Sequence, residues 1–264
     1  MILSISALHA QGRFDRRIII RDSTMYAVEI KDQIGVLWIC KTYDPLDSAA
    51  QYILPAGTKR RTIFFQPFAW DLYKDTIYAV NFTENMQNDR MTSLKSIPLS
   101  GLKRYTGKEQ LHTAMLQAAF ENGSIENLPL VNAVKEFTYM DALFFDVTKT
   151  DDAMYMGIAV DSIFRLWKYT GSWQVTQENK VERPFCFDLC QMQDKVVAIG
   201  DKGMLLSPEG INTGSKGSDA IEIAHMLLVE DEDTGMLYFL PEEAFNETSV
   251  SFEQIKILYK IPFK

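Results

Sequence analysis

The chain has 264 residues, 47% hydrophobic, 12% aromatic and 23% charged, which is enough apolar material for a core and excludes a disordered polymer. Its net charge of -8 repels nucleic-acid phosphates at long range, so no nucleic-acid partner is expected. No apolar run approaches the ~18 residues that a membrane helix needs, so no membrane partner is expected either.

Residues 1–10 are mildly apolar but carry no basic segment before the apolar run and no clear cleavage site, so a cytoplasmic or intracellular setting is expected. Strand-like runs follow at 2–8, at Ile18-Ile19-Ile20, at 22–28 and at 36–39. The stretch 44–59 departs from this rhythm: Pro45 in the first turn of Asp-Pro-Leu-Asp-Ser-Ala-Ala predicts a short helix and an insertion. Strands resume at 62–68, 70–72, 75–80 and 93–97. A second insertion is expected at 101–132. There Thr106 and Glu109 have capping-box spacing, and Leu111, Met115 and Ala118 or Ala119 form a stripe that ends at Asn122-Gly123. An amphipathic helix over 108–120 follows from that pattern. Further strands are read at 136–140, 145–147, 152–160, 163–167, 173–178, 187–189, 194–199, 204–206, 226–228, 233–240 and 255–258.

These runs repeat. Five acidic turns, at Asp22, Asp75, Asp152, Asp194 and Asp233, each lead into a strand, and the last two steps are 42 (152 to 194) and 39 (194 to 233) residues. Such steps suit a unit of four strands. The strand before the turn shares an aromatic–Asp–aliphatic pattern in Trp70-Asp71-Leu72, Phe145-Asp146-Val147 and Phe187-Asp188-Leu189. Each unit is read as an upstream partner strand, the strand before the turn, the strand after it and a downstream strand.

The segment Asp161-Ser162-Ile163-Phe164-Arg165-Leu166-Trp167 resembles the outer-strand signature of WD40-type blades, although Lys168 replaces the Asp expected after the Trp and no Gly-His pair opens a unit. The resemblance covers one unit and implies β-propeller architecture in general. The expected fold is therefore all-β: one domain over 1–264, a five-bladed (alternatively six- or seven-bladed) propeller with one inserted amphipathic helix. An ordinary β-sandwich is the competing arrangement.

Chemistry is sparse. There is no phosphate-binding Gly loop, nucleophile elbow or His-Glu-x-x-His, and the three histidines, His9, His112 and His225, stand far apart. Cys40, Cys186 and Cys190 are too few for a disulfide framework and read as small buried strand residues, so no cofactor is expected. Asp71, Asp146 and Asp188 are the catalytic candidates if the chain is an enzyme, since equivalent inner-strand carboxylates could ring a channel mouth. The competing role for each is to accept bonds from its own turn. Trp70 and Trp173 are the candidate sugar-binding aromatics. Asp231 and Asp233, in an acidic turn ending at Gly235, are the candidate cation ligands, against a solvated turn. Lys59, Arg60, Arg61, Lys103, Arg104 and Lys108 read as solvated charges. The expected function is a non-enzymatic interaction module with another protein as partner. The alternatives are a carbohydrate-active hydrolase or lyase using the Asp ring, or a lectin-like sugar binder.

Overall fold

The structure is a computed structural model and describes residues 14, 17–32, 34–55, 69–84, 90–121, 125–131, 144–160, 162–181, 187–192, 195–200, 204–207, 210–213 and 226–262. Runs of β-branched and aromatic residues broken by polar turns fold as antiparallel hairpins. The first unit comprises β1 (Arg17–Arg21), β2 (Thr24–Lys31), β3 (Ile34–Lys41) and β4 (Ala50–Leu54). Next come β5 (Trp70–Tyr73), β6 (Thr76–Glu84), β7 (Arg90–Pro98), β8 (Lys103–Arg104), the helix α1 (Leu111–Glu121) and β9 (Glu126–Leu128). The third unit is β10 (Phe144–Lys149), β11 (Met154–Val160), β12 (Ile163–Tyr169) and β13 (Trp173–Lys180). The fourth is β14 (Phe187–Met192), β15 (Lys195–Gly200), β16 (Met204–Ser207) and β17 (Gly210–Thr213). The last contains β18 (Met226–Asp231), β19 (Met236–Pro241) and β20 (Tyr259–Pro262).

Three four-stranded sheets result, ordered β5-β6-β7-β9, β10-β11-β12-β13 and β14-β15-β16-β17. An eight-stranded sheet joins the last unit to the first, in the order β20-β19-β18-β1-β2-β3-β4-β8. Its two halves meet where β1 pairs parallel to β18, with Arg17 opposite Leu228 and Ile19 opposite Glu230. The chain is thus mostly β with several four-stranded antiparallel sheets, consistent with propeller blades.

Successive units stack through apolar layers. Ile19, Val28 and Leu37 of the first unit pack on Trp70, Leu72 and Ile77 of the second. Val80 and Leu94 pack on Phe145 and Met156, Phe164 and Leu166 on Phe187 and Leu189, and Val197 and Ile199 on Leu237 and Phe239. A fifth layer returns to the start: Leu227, Val229 and Leu240 pack on Ile18, Met25, Val36 and Trp38. Each fully buried side chain of this size contributes roughly 1.5–3 kcal/mol, so the layers dominate the stability. The third and fourth units approach most closely at Gly157, where a Cβ would lie 2.6 Å from the Phe187 ring.

Several expectations change in detail. The strand at Trp173, read as the upstream partner of the fourth unit, is instead the outer strand of the third. The third unit therefore begins at its inner strand and ends with the strand read as belonging to the fourth. In the described part of the stretch 44–59, which ends at Pro55, stand a 3-10 turn, Leu46–Ser48, and then β4, the fourth strand of the first unit. Within 101–132, β9 supplies the fourth strand of the second unit. The helix starts at Leu111, later than expected, because Thr106 spends its hydroxyl on the Glu109 carboxylate (2.6 Å) outside it. Its buried face is Leu111, Ala114 and Ala118, with Met115 only partly covered, and it packs on β3 and β4. The WD40-like segment falls on β12, the third strand of its sheet and not the outermost. The run at 255–258 is not strand; β20 starts at Tyr259. The strands expected at 2–8, 62–68 and 136–140 lie outside the described residues. Among the described residues no helix is long and apolar enough to cross a membrane.

Candidate functional site

The inner strands β1, β5, β10, β14 and β18 run side by side, and a buried or half-buried charged side chain from each bears on the same region. These are Arg17, Asp71, Asp146, Asp188 and Glu230. Arg17 is 3% exposed and acts as a strut. Its Nη1 donates to the carbonyls of Trp70 (3.0 Å) and Val147 (3.1 Å), in the second and third units. The same guanidinium lies 3.6 Å from Asp71 and 3.4 Å from Asp146. Its Nε and Nη2 make no hydrogen bond.

The carboxylates lace neighbouring units together. Asp71 Oδ1 accepts the amide of Leu72 (2.8 Å), while Oδ2 accepts the Thr148 hydroxyl (2.9 Å) and the Lys149 amide (2.7 Å) of the next unit. Asp146 repeats the pattern, accepting Val147 N (2.8 Å) and, from the fourth unit, Leu189 N (2.6 Å). Burial pushes the Asp146 carboxyl up, against the pull of Arg17 and the two amides. Asp188 is 5% exposed on β14. The sequence offered two arrangements for these residues, bonding within the parent unit or converging on a mouth. Asp71 and Asp146 instead bond to their own strand and to the next one, and share Arg17.

Toward the ends of the inner strands a cavity of about 510 Å³ opens, and every unit contributes to it: Arg21, Tyr73, Lys149, Gln191 and Glu230 come from the five inner strands in turn. Its other polar lining includes Asp71, Lys74, Asp75, Thr148, Asp151 and Glu232. Most charges there are already matched. Arg21 donates from Nε and Nη2 to the two carboxylate oxygens of Glu232 (2.6 and 2.5 Å) and from Nη2 to the carbonyl of Leu72 (3.0 Å). Lys74 pairs with Asp151 at 3.2 Å, and the Tyr73 hydroxyl donates to the same carboxylate.

Glu230 differs. Parallel pairing places it opposite Ile19, two residues along β1 from Arg17, so that its side chain shares a face with the strut. It lines the cavity, yet among the described residues no group hydrogen-bonds or ion-pairs with its carboxyl. Burial pushes that carboxyl up to about 8, outweighing the pull of Arg17, with Asp71, Glu232 and Asp146 adding repulsion. Burial thus favours the neutral form of Glu230, whose side chain lines a polar cavity.

Of the expected site residues, only Asp71 lines this cavity. Trp70 is 1% exposed and belongs to the apolar layer between the first two units. Trp173 sits on the outer strand β13 and donates to Pro129 O at 2.9 Å. Asp231 caps its own turn through the amides of Asp233 (3.0 Å) and Thr234 (3.1 Å). Asp233 accepts the amides of Asp22 and Ser23, both at 2.7 Å, tying the last hairpin to the first. No group of three or more His, Cys, Asp or Glu among the described residues is arranged to hold a metal ion. His112 is exposed on α1, and Cys190 is buried, which pushes its thiol up. His9, His225, Cys186 and Lys59 to Arg61 lie outside the described residues.

Two residues that sequence reasoning passed over carry the site. Glu230 was absorbed into a solvated acidic turn; its signal was the strand pattern running on through Asp231. Arg17 was one cation before three isoleucines, and a charge inside such a run was its only mark.

No family model matches the chain, and no curated protein matches it. Among solved structures it aligns with the GH32 β-fructofuranosidase BmSUC1 of Bombyx mori at 10% identity and a TM-score of 0.39. The alignment covers 95% of this chain and 49% of that one, so the chain spans about half the length of that protein. At this score the likeness assigns neither residues nor substrate.

The expectation of a non-enzymatic interaction module is corrected here. The ground for it is the cavity: a concave polar space lined from all five inner strands, with a carboxylic acid on its wall whose neutral form burial favours, suits a small polar ligand better than a protein surface. Those are the features of a site that handles a small polar molecule.

Proposed function

We propose that the chain is a five-bladed β-propeller hydrolase of carbohydrate substrates, with the axial cavity as its active site. The five stacked layers, the fifth closing the last unit on the first, support the blade count. The observation that carries the activity is Glu230: an acid raised to about 8 by burial, bonded to nothing among the described residues and facing the cavity. Glycosidic cleavage needs a proton for the departing oxygen and a carboxylate beside the positive charge that grows on the sugar ring. Glu230 is the proton donor. Asp71 is the fixed negative partner, since its oxygens accept three hydrogen bonds and Arg17 holds them from below. Asp146 and Asp188, outside the lining, belong to the framework that sets Asp71 and Arg17 in place.

The test is hydrolysis of a panel of 4-nitrophenyl glycosides by the parent protein and by Glu230→Gln. The parent should cleave at least one member, with kcat/KM falling as pH rises through about 8, because the free enzyme then loses the proton it must donate. Glu230→Gln should be slower by roughly 10²–10⁴. An inactive parent, or a Gln variant of equal activity, refutes the assignment.

A further inference from the structure

Within the cavity the charges divide into those that satisfy one another and one that does not. Arg21 is occupied by Glu232, Lys74 by Asp151, and Asp71 by Arg17 and its three donors. Asp75 is exposed on its turn, where water screens it. Lys149 remains. Its ammonium is half-buried, with no carboxylate within ion-pair distance among the described residues. Its contacts are the carbonyls of Thr150 and, at 3.4 Å, Ala153, and it lies 4.9 Å from the centre of the Tyr73 ring. Lys74 approaches the same ring at 4.8 Å. Two cations thus approach one aromatic ring, and among the described residues only Lys74 has a carboxylate within ion-pair distance. Burial lowers the Lys149 ammonium below its usual range, outweighing the pull of Asp151, Asp152 and Asp71, none of which reaches ion-pair distance, while Lys74 adds repulsion.

We infer that Lys149 and the Tyr73 ring form a subsite for the carboxylate of an acidic sugar, so that the substrate is a uronic-acid glycoside and not a neutral one. This rests on the carbohydrate reading above and adds the substrate class. The ring supplies an apolar wall for the sugar's C–H face, and the ammonium, with a third N–H beyond its two carbonyls, supplies the charge. A single negative charge fits better than a phosphate dianion. Asp71, Asp75, Asp151 and Glu232 share the same cavity and would repel the second charge.

The experiment compares sugars that differ only at C6, glucuronate with glucose and galacturonate with galactose, by calorimetry on the parent and on Lys149→Gln at low and moderate salt. A uronate should bind the parent at least roughly tenfold tighter than its neutral twin, the size of one charge-assisted hydrogen bond. That preference should shrink as salt rises and vanish in Lys149→Gln, while the variant's affinity for the neutral sugar and its melting temperature stay close to the parent's. Equal binding of both twins, binding of neither, or a preference retained in Lys149→Gln overturns the inference. Hydrolysis separates the two readings. If 4-nitrophenyl glucosides are cleaved as fast as 4-nitrophenyl glucuronides, the hydrolase stands and the Lys149 subsite falls. If uronates bind through Lys149 but no glycoside is cleaved, the subsite stands and the hydrolase falls.

Discussion

Replacing Arg17 by Met tests whether the strut holds the inner strands together. Met keeps the length and apolar stem of Arg and removes its charge and its donors. Two carbonyls, Trp70 O and Val147 O, then lose their donor, and the carboxylates of Asp71 and Asp146, each 6% exposed, lose their nearest cation. Breaking a buried ion pair from one side costs about 3–5 kcal/mol, and each orphaned carbonyl adds about 1–3. Two effects oppose this: the unbonded Nε and Nη2 disappear, and the carboxylates can take up protons. A net loss of about 3–5 kcal/mol is expected, roughly 10 °C in melting temperature for a chain of this size. The sign of its pH dependence is distinctive. At high pH the buried Asp146 carboxyl, which burial already pushes up, must stay charged without Arg17 or take up a proton from scarce supply, whereas at lower pH protonation relieves it. Thermal melts at pH 5 and pH 8 should therefore show the larger loss at pH 8. Adding Asp146→Asn to Arg17→Met should recover part of the loss, so the double variant is less damaged than the sum of the singles. A variant that melts within about 2 °C of the parent, or loses equally at both pH values, would refute the strut as an electrostatic element.

Gly157→Ala should destabilise by about 1–3 kcal/mol in urea melts, because its Cβ meets the Phe187 ring at 2.6 Å; Gly157→Ala with Phe187→Leu should recover part of that, and no recovery points to backbone strain instead. Glu230→Gln should raise stability at pH 8 by on the order of 1–3 kcal/mol while abolishing cleavage. Burial pushes the Glu230 carboxyl up from its ordinary 4.5 to about 8, so the group's favourable contribution is complete below about 4.5 and is lost as pH rises through about 8. The Gln variant should lack that slope, and identical stability–pH curves for the two proteins would show that Glu230 is not the desolvated acid argued here.

The repeat was legible because its signals are local. A strand announces itself by β-branched residues, and a turn by Asp, Ser or Gly; the hairpin β1–β2 closes at Arg21 and Thr24 around Asp22 and Ser23 with φ of 50 and 51. What could not be read was which strand joins which sheet. The strand at Trp173 lies in sequence between the sheet before it and the sheet after it, and only pairing decides between them. The short fourth strands β4 and β9 fell within stretches that carried helix signals, and so were missed. In the site, Asp71 and Asp146 were found through their repeated flanking residues. Their partners were not, because Lys149 N and Leu189 N lie 78 and 43 residues away. Arg17 is separated from Val147 by 130. No periodicity in one sequence carries such pairings.

Within the ring, the division of labour follows from depth. At the Arg17 level, carboxylates are held by backbone amides of two units and by the guanidinium, so any charge they carry is spent on geometry. One alternation further along β18, the pairing of Glu230 with Ile19 lifts its carboxyl past the reach of those donors, into the cavity. The low-polarity surroundings that the framework creates push up both Asp146, which the amides hold, and Glu230, which among the described residues nothing holds. On the proposed reading, that difference is what separates a carboxyl committed to geometry from one placed to deliver a proton.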